Sequence, residues 1–371
     1  FLVRPIFPGQ DTGQPPISGS VPPGFPTVQP GGVPPVPPGV STSTGIVDLP
    51  PEAKRLLKLT DYAIIGPSLN KNETKVLFYK KDGGGLYQMD FNGKGTEKLA
   101  PITIVGLLEA VWGPKRDRAA VQYLDGDSIK SFLHIGTSSV AVLPTDARSP
   151  TWSPDGSSFA YLLFKNDLTN VIVSDASGKN PHAVFSTPIP DISLAWIAKD
   201  KFALITAPSG HAEGYLFAYA QKSGALAQIK GPRYGLTALW SPDGGRFLAS
   251  FTSRTGTDAR LWLFDEAGNE LRRFSVTTLP DKCVWSSDGK DIFCAVPRAI
   301  PASTVWPDDY LRGELAGPDR IVNLNPETGD IMPVLDEETL SLSNLFATQD
   351  KTFLFFVNRT DGTLWRYKLK E

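Results

Sequence analysis

Few side chains in this 371-residue chain are of kinds that do chemistry. The three histidines, His134, His182 and His211, share no spacing with one another or with Cys283 and Cys294 that would gather imidazole and thiolate on one metal ion. They read as solvated or hydrogen-bonded loop residues. Asp125-Gly126-Asp127-Ser128 offers two carboxylates but lacks the further oxygen ligands and bidentate Glu of a calcium loop; a tight strand connection accounts for it. No Gly-x-Ser-x-Gly elbow presents a nucleophilic serine. Neither a metal nor an organic cofactor is expected. Asn72-Glu73-Thr74 and Asn358-Arg359-Thr360 have the form of glycosylation acceptors, which chance also supplies.

The elements that must position any site come next. With 37 Lys+Arg against 39 Asp+Glu the net charge is -2, so no broad cationic surface for nucleic acid is expected, and no run of eighteen apolar residues offers a membrane span. The opening Phe1-Leu2-Val3-Arg4-Pro5 can be read as the end of an apolar anchor followed by a basic stop, or as an arbitrary boundary. Residues 1–51 hold 14 of the 33 prolines and only Arg4, Asp11 and Asp48 as charges. Proline fixes φ and removes backbone donors, so this stretch is expected to be extended, either as a linker or as a docking strap. Ile6, Phe7, Ile17, Phe25 and Val28 are more than a spacer needs, and Phe7 and Phe25 are candidate contact residues.

From there a repeat governs the chain. Thr151-Trp152-Ser153-Pro154-Asp155-Gly156 recurs as Leu239-Trp240-Ser241-Pro242-Asp243-Gly244 and, less closely, as Val284-Trp285-Ser286-Ser287-Asp288-Gly289. Degenerate copies put the anchors at 69, 112, 152, 196, 240, 285 and 346, with spacings of 43, 40, 44, 44, 45 and 61. A period in the forties built of short strands predicts a β-propeller. In each unit a large apolar residue ends an inner strand, Ser-Pro-Asp-Gly turns the chain, a nearly continuous apolar second strand follows, and a polar fourth strand forms the rim.

These residues resemble the TolB-type, or PD40, WD40-like propeller repeat over roughly residues 54–371. The resemblance implies an all-β fold: a seven-bladed β-propeller of four-stranded antiparallel blades at 52–371, preceded by the proline-rich extended segment 1–51. It departs from TolB itself, which carries a separate α/β domain where the strap stands, and from true WD40 repeats, which pair Gly-His with Trp-Asp. Sialidase Asp-boxes, with Ser-x-Asp-x-Gly, are not matched either, and the α/β-hydrolase domain that accompanies such a propeller in prolyl-oligopeptidase-like enzymes does not follow.

Closure and site follow from this frame. After Phe346 too few residues remain for a fourth strand, so residues 54–61 are expected to complete the seventh blade. Counting the hairpin register outward from Trp285 opposite Ile292 sets Cys283 opposite Cys294, either as a disulfide or as two buried thiols. The 61-residue spacing maps to a loop between the second and third strands of blade six, where Trp306 and Tyr310 belong either to a contact surface or to a lid folded back on its own propeller. Arg148, Asp191, Tyr234 and Lys282 should ring the channel mouth on the same face. The function expected is a non-enzymatic extracellular or cell-envelope module that binds a protein partner or self-associates through its strap, even into a filament. The alternative is a hydrolase or lyase working through a carboxylate such as Asp191.

Overall fold

A computed structural model describes residue 50 and residues 54–315, 317–336 and 339–370. The strap, with Phe7 and Phe25, lies outside the described residues. The chain folds as a ring of seven four-stranded antiparallel blades. It begins with β1 (Leu56–Lys58) and continues through blade one with β2 (Ile64–Leu69), β3 (Lys75–Lys80), β4 (Leu86–Asp90) and β5 (Glu97–Lys98). Blade two holds β6 (Leu107–Trp112), β7 (Arg118–Asp125), β8 (Ser128–Ile135) and β9 (Ser139–Val142). Blade three holds β10 (Arg148–Trp152), β11 (Ser158–Lys165), β12 (Leu168–Asp175) and β13 (His182–Thr187). Blade four is β14 (Ile192–Ala198), β15 (Lys201–Thr206), β16 (Glu213–Ala220) and β17 (Ala225–Tyr234); blade five is β18 (Thr237–Trp240), β19 (Arg246–Phe251), β20 (Arg260–Asp265) and β21 (Glu270–Phe274). Blade six is β22 (Cys283–Trp285), β23 (Ile292–Pro297), β24 (Asp319–Leu324) and β25 (Ile331–Leu335), with helix α1 (Asp308–Arg312) between its second and third strands. Blade seven has β26 (Leu342–Ala347), β27 (Phe353–Asn358) and β28 (Leu364–Lys368).

The ring closes as the sequence predicts, since β1 pairs antiparallel with β28 and places Leu57 opposite Arg366. Only three of the eight residues expected there form the strand. Beyond it Leu59 and Thr60 turn inward, where the Thr60 hydroxyl accepts the Leu364 amide at 2.9 Å.

Seven hydrophobic clusters fill the seven seams between blades, which explains the apolar runs. In β23, Ile292, Cys294 and Val296 face blade five while Phe293 and Ala295 face blade seven. In β27, Phe355 and Val357 face blade one while Leu354 and Phe356 face blade six. Alternation of period two persists, but both faces are covered, so both sets are apolar. The tryptophan anchors also tie blades together: the Trp112 indole donates to the Gly66 carbonyl at 2.8 Å and the Trp152 indole to the Val111 carbonyl at 3.1 Å.

The first turn of each well-matched blade is held by its own side chains. Ser153, Ser241, Ser286 and Thr348 donate to Asp155, Asp243, Asp288 and Asp350 at 2.5–2.6 Å, and the same hydroxyls accept amides of the following strand. The fourth turn position is left-handed, as Gly156 and Gly244 (φ +63° and +70°) allow without strain. Where glycine is missing from that position, Glu73, Arg116 and Lys351 occupy it at φ of 52–58°. Each reaches the preceding blade around the ring. Glu73 accepts the Gln349 amide at 2.7 Å, Arg116 donates to Ser68 at 2.8 Å, and Lys351 bridges Asp288 and Asp291 at 2.9 and 2.8 Å. The strained residues thus serve as clamps between blades.

Cys283 and Cys294 lie opposite each other in the β22–β23 pair, with Cα atoms 4.0 Å apart, and are bonded. Both are buried in the seam between blades five and six.

Candidate functional site

The loops that lead into the inner strands and those joining second to third strands lie on one face of the ring. Arg148 opens β10 and Asp191 stands just before β14, so neighbouring blades bring them together at 3.8 Å. Arg148 also donates to the Pro190 carbonyl at 3.4 Å. Asp191 is 73% exposed, and such a pair contributes only about 0–1 kcal/mol. Tyr234 is half-buried at the end of β17, where its carbonyl accepts the Thr252 amide at 2.8 Å.

Lys282 does not join them at the surface. It is 3% exposed, at the end of a 3-10 turn (Pro280–Lys282), and its ammonium donates to both carboxylate oxygens of Asp319 at 2.8 Å. Asp319 Oδ2 also accepts the Leu342 amide at 2.6 Å, so the pair joins blade six to blade seven. Burial draws the Lys282 pKa down and pushes the Asp319 pKa up, each opposed by the other's charge. Next door, burial raises the pKa of Asp281, whose Oδ2 has no hydrogen-bond partner among the described residues.

Trp306 and Tyr310 are likewise interior. At 2% and 7% exposed they form a small core with Ala259 and Leu279, so the long loop of blade six is a lid on its own propeller and these two aromatics are not contact residues. Composition marked them as sticky without saying which way they face. The lid is pinned across three blades. Asp308 accepts the Ser209 hydroxyl at 3.0 Å and the Gly210 amide at 2.6 Å in blade four, and the Trp306 amide donates to the Gly256 carbonyl at 2.8 Å in blade five. On the other side, Arg359 of blade seven donates to the Tyr310 carbonyl and lies 4.1 Å over its ring. The approach requires glycine, because a Cβ on Gly210 would fall 2.6 Å from the Trp306 carbonyl oxygen.

The lid covers the sector of blades four to seven. Over blades one to three the same face carries exposed Val105, Phe164 and Leu168. Beneath, a cavity of about 150 Å³ runs along inner strands of blades two to five, lined by Glu109, Ser149, Ser193, Ala195, Ala238 and Trp240.

The histidines sit apart. His134 is buried, shares a 2.7 Å hydrogen bond with the Tyr79 hydroxyl, and has its pKa lowered by burial; His182 contacts the Asn180 carbonyl at 3.2 Å. Asp125 pairs with Lys130. Among the described residues no three His, Cys, Asp or Glu gather where they could hold a metal ion, and no helix is long and apolar enough to cross a membrane.

No family model matches the chain, and no curated protein matches it. Solved structures do. An oligogalacturonate lyase in complex with manganese is 12% identical, with a TM-score of 0.61 over 85% of this chain and 93% of the other. The β-propeller domain of Cps50 (Swd1) from Myceliophteria thermophila is 9% identical, with a TM-score of 0.56 over 85% of this chain and 100% of the other. TolB from Acinetobacter baumannii is 13% identical, with a TM-score of 0.47 over 74% of this chain and 64% of the other. At these identities the likeness is one of fold: the chain is a seven-bladed β-propeller.

Proposed function

We propose that this chain is a non-enzymatic binding and assembly module working outside the cytoplasm, with the propeller as rigid body and the strap of residues 1–51 as contact segment. The observation that carries this reading is how the lidded face uses its charges. Lys282 pairs with Asp319 and Arg359 with lid carbonyls, so these groups fasten blades and lid to one another, and Arg148 and Asp191 face each other at the surface rather than converge with them on a substrate. Exposed Val105, Phe164 and Leu168 over blades one to three suit a protein partner. The bonded Cys283–Cys294 pair supports an oxidising compartment. The lyase shares the ring, and at 12% identity a shared fold carries no chemistry with it.

Light scattering on the full chain and on a Phe7→Ser/Phe25→Ser variant tests the reading. Each large side chain fully buried contributes roughly 1.5–3 kcal/mol, so losing two should weaken self-association or partner binding by about a hundred-fold or more, with the unfolding midpoint unchanged. A variant that assembles as the parent does, or a parent that cleaves oligogalacturonate, would overturn it.

A further inference from the structure

On the face away from the lid, a groove of about 400 Å³ runs along the seam of blades six and seven. Its apolar surface comes from Phe293, Met332, Pro333, Val334 and Leu369, beside a polar patch in which Asp291 accepts from Lys351 and Asn323. Met332 is 61% exposed on β25, the rim strand of blade six. Arg55 and Lys370 supply cationic N–H donors at the edge. The volume falls within the roughly 300–1,000 Å³ typical of ligand pockets, and an exposed methionine among prolines and aliphatics suits an adaptable apolar contact. Pro333 removes a backbone donor from the rim strand, so an occupant would dock by side chains and not as an added strand.

We propose that this groove is the docking site of the chain's own proline-rich strap, taken up in cis through the segment Pro22 to Pro38. The inference rests on the reading of the strap as a contact segment. Three observations select this occupant. The described chain resumes at Lys54 and Arg55, and Arg55 is itself a wall of the groove, so the strap is tethered at its edge. The segment Pro22 to Pro38 offers Phe25, Val28, Val33 and Val36 between prolines and carries no charge. Its prolines leave carbonyls without matching amides, which calls for donors at the rim; Arg55 already donates through Nε to the Lys368 carbonyl and Lys370 to the Asp350 carbonyl, and the remaining N–H groups of both side chains are the ones an occupant would meet.

Length decides between cis and trans. Between Pro38 and Lys54 lie fifteen residues, beginning Gly39-Val40-Ser41-Thr42-Ser43-Thr44-Gly45. Taken as a flexible chain, a linker of that length and mixed composition has a root-mean-square span of roughly 20 Å, enough to fold back to its own anchor point, and confers an effective concentration of order millimolar. A second copy must exceed that concentration to compete.

The test places a benzophenone amino acid at Phe25, and separately at Val33, in the full chain, irradiates a mixture of isotope-labelled and unlabelled protein, and maps the products. The expected result is a crosslink within one chain to the peptide bearing Met332, reduced about ten-fold or more by Met332→Asp while the circular-dichroism spectrum of the folded ring is unchanged. A crosslink to that peptide between copies would overturn the cis assignment and leave the assembly reading standing. Crosslinks elsewhere on the propeller would overturn the groove, and no crosslink from either position would overturn the groove and the contact segment together.

Discussion

Removing the Asp319 carboxylate should be among the most damaging single changes in the ring. Lys282 and Asp319 are 3% and 1% exposed, and Asp319 accepts three hydrogen bonds, two from the Lys282 ammonium and one from the Leu342 amide. Asp319→Ala strands a buried ammonium and an unpaired amide. Breaking a buried pair from one side costs about 3–5 kcal/mol. In a domain of this size about 2 °C of Tm corresponds to 1 kcal/mol, so Tm should fall by roughly 6–10 °C.

The directions of the two pKa shifts sharpen the prediction. Burial outweighs attraction for both groups, so the pair stabilises little relative to uncharged partners even though breaking it is costly. Lys282→Met with Asp319→Asn, which keeps an acceptor for the Leu342 amide, should therefore recover most of the loss. Chemical denaturation of Lys282→Met, Asp319→Asn and the double variant measures this, with the summed single losses expected to exceed the double loss by about 3 kcal/mol or more. Lys282→Met alone should make stability pH-dependent. Its Asp319 carboxyl, buried without a counter-ion, has a folded pKa above the ordinary 3.8, so stability is fully present below that value and lost as pH rises through the folded pKa. Additive single losses, or an Asp319→Ala variant within 1 kcal/mol of the parent, would refute the reasoning.

The turn carboxylates titrate in the opposite sense. Hydrogen bonds from Ser153 and Ser157 hold Asp155 at about 2, and Asp243, Asp288 and Asp350 are lowered in the same way, so their stabilisation is present above pH 3.8 and lost as pH falls toward 2. Thermal melts between pH 5 and pH 2 should show that slope, and Asp155→Asn should flatten part of it. Replacing Cys283 and Cys294 together by Ala should cost about 3 kcal/mol, the loop-closure value for a separation of 11 residues, and thiol labelling of the unfolded, unreduced parent should find no free cysteine.

What the sequence made legible is local chemistry repeated in register. Ser-Pro-Asp-Gly encodes its own turn, so Ser153 and Asp155, Ser241 and Asp243, and Ser286 and Asp288 could be read as equivalent before any pairing was known. The apolar anchors carried the count through blades where the turn residues had changed, and the period gave both the closing strand and the Cys283–Cys294 register. Partnerships across the ring left no such trace. Lys282 looked like a channel-mouth cation because its position in the repeat matches Arg148 and Asp191, yet Asp319, 37 residues onward, draws it inside. The carboxylate needed for that lies beyond the insertion that interrupts the period.

The lid shows the same limit from the other side. Trp306-Pro307-Asp308-Asp309-Tyr310 has the composition of an exposed recognition loop, and composition is indifferent to direction. Direction was set by glycines far away in the chain. Gly210 and Gly256 let the lid backbone approach closely enough for Trp306 to bury its ring and for Asp308 to cap two donors of blade four. Insertions that break a repeat should therefore be read together with unexplained glycines in neighbouring blades, because a missing Cβ is the mark that close backbone contact leaves in sequence. By that rule a side chain at Gly210 should lift the lid from blades four and five while the seven seams, whose clusters do not include it, stay packed.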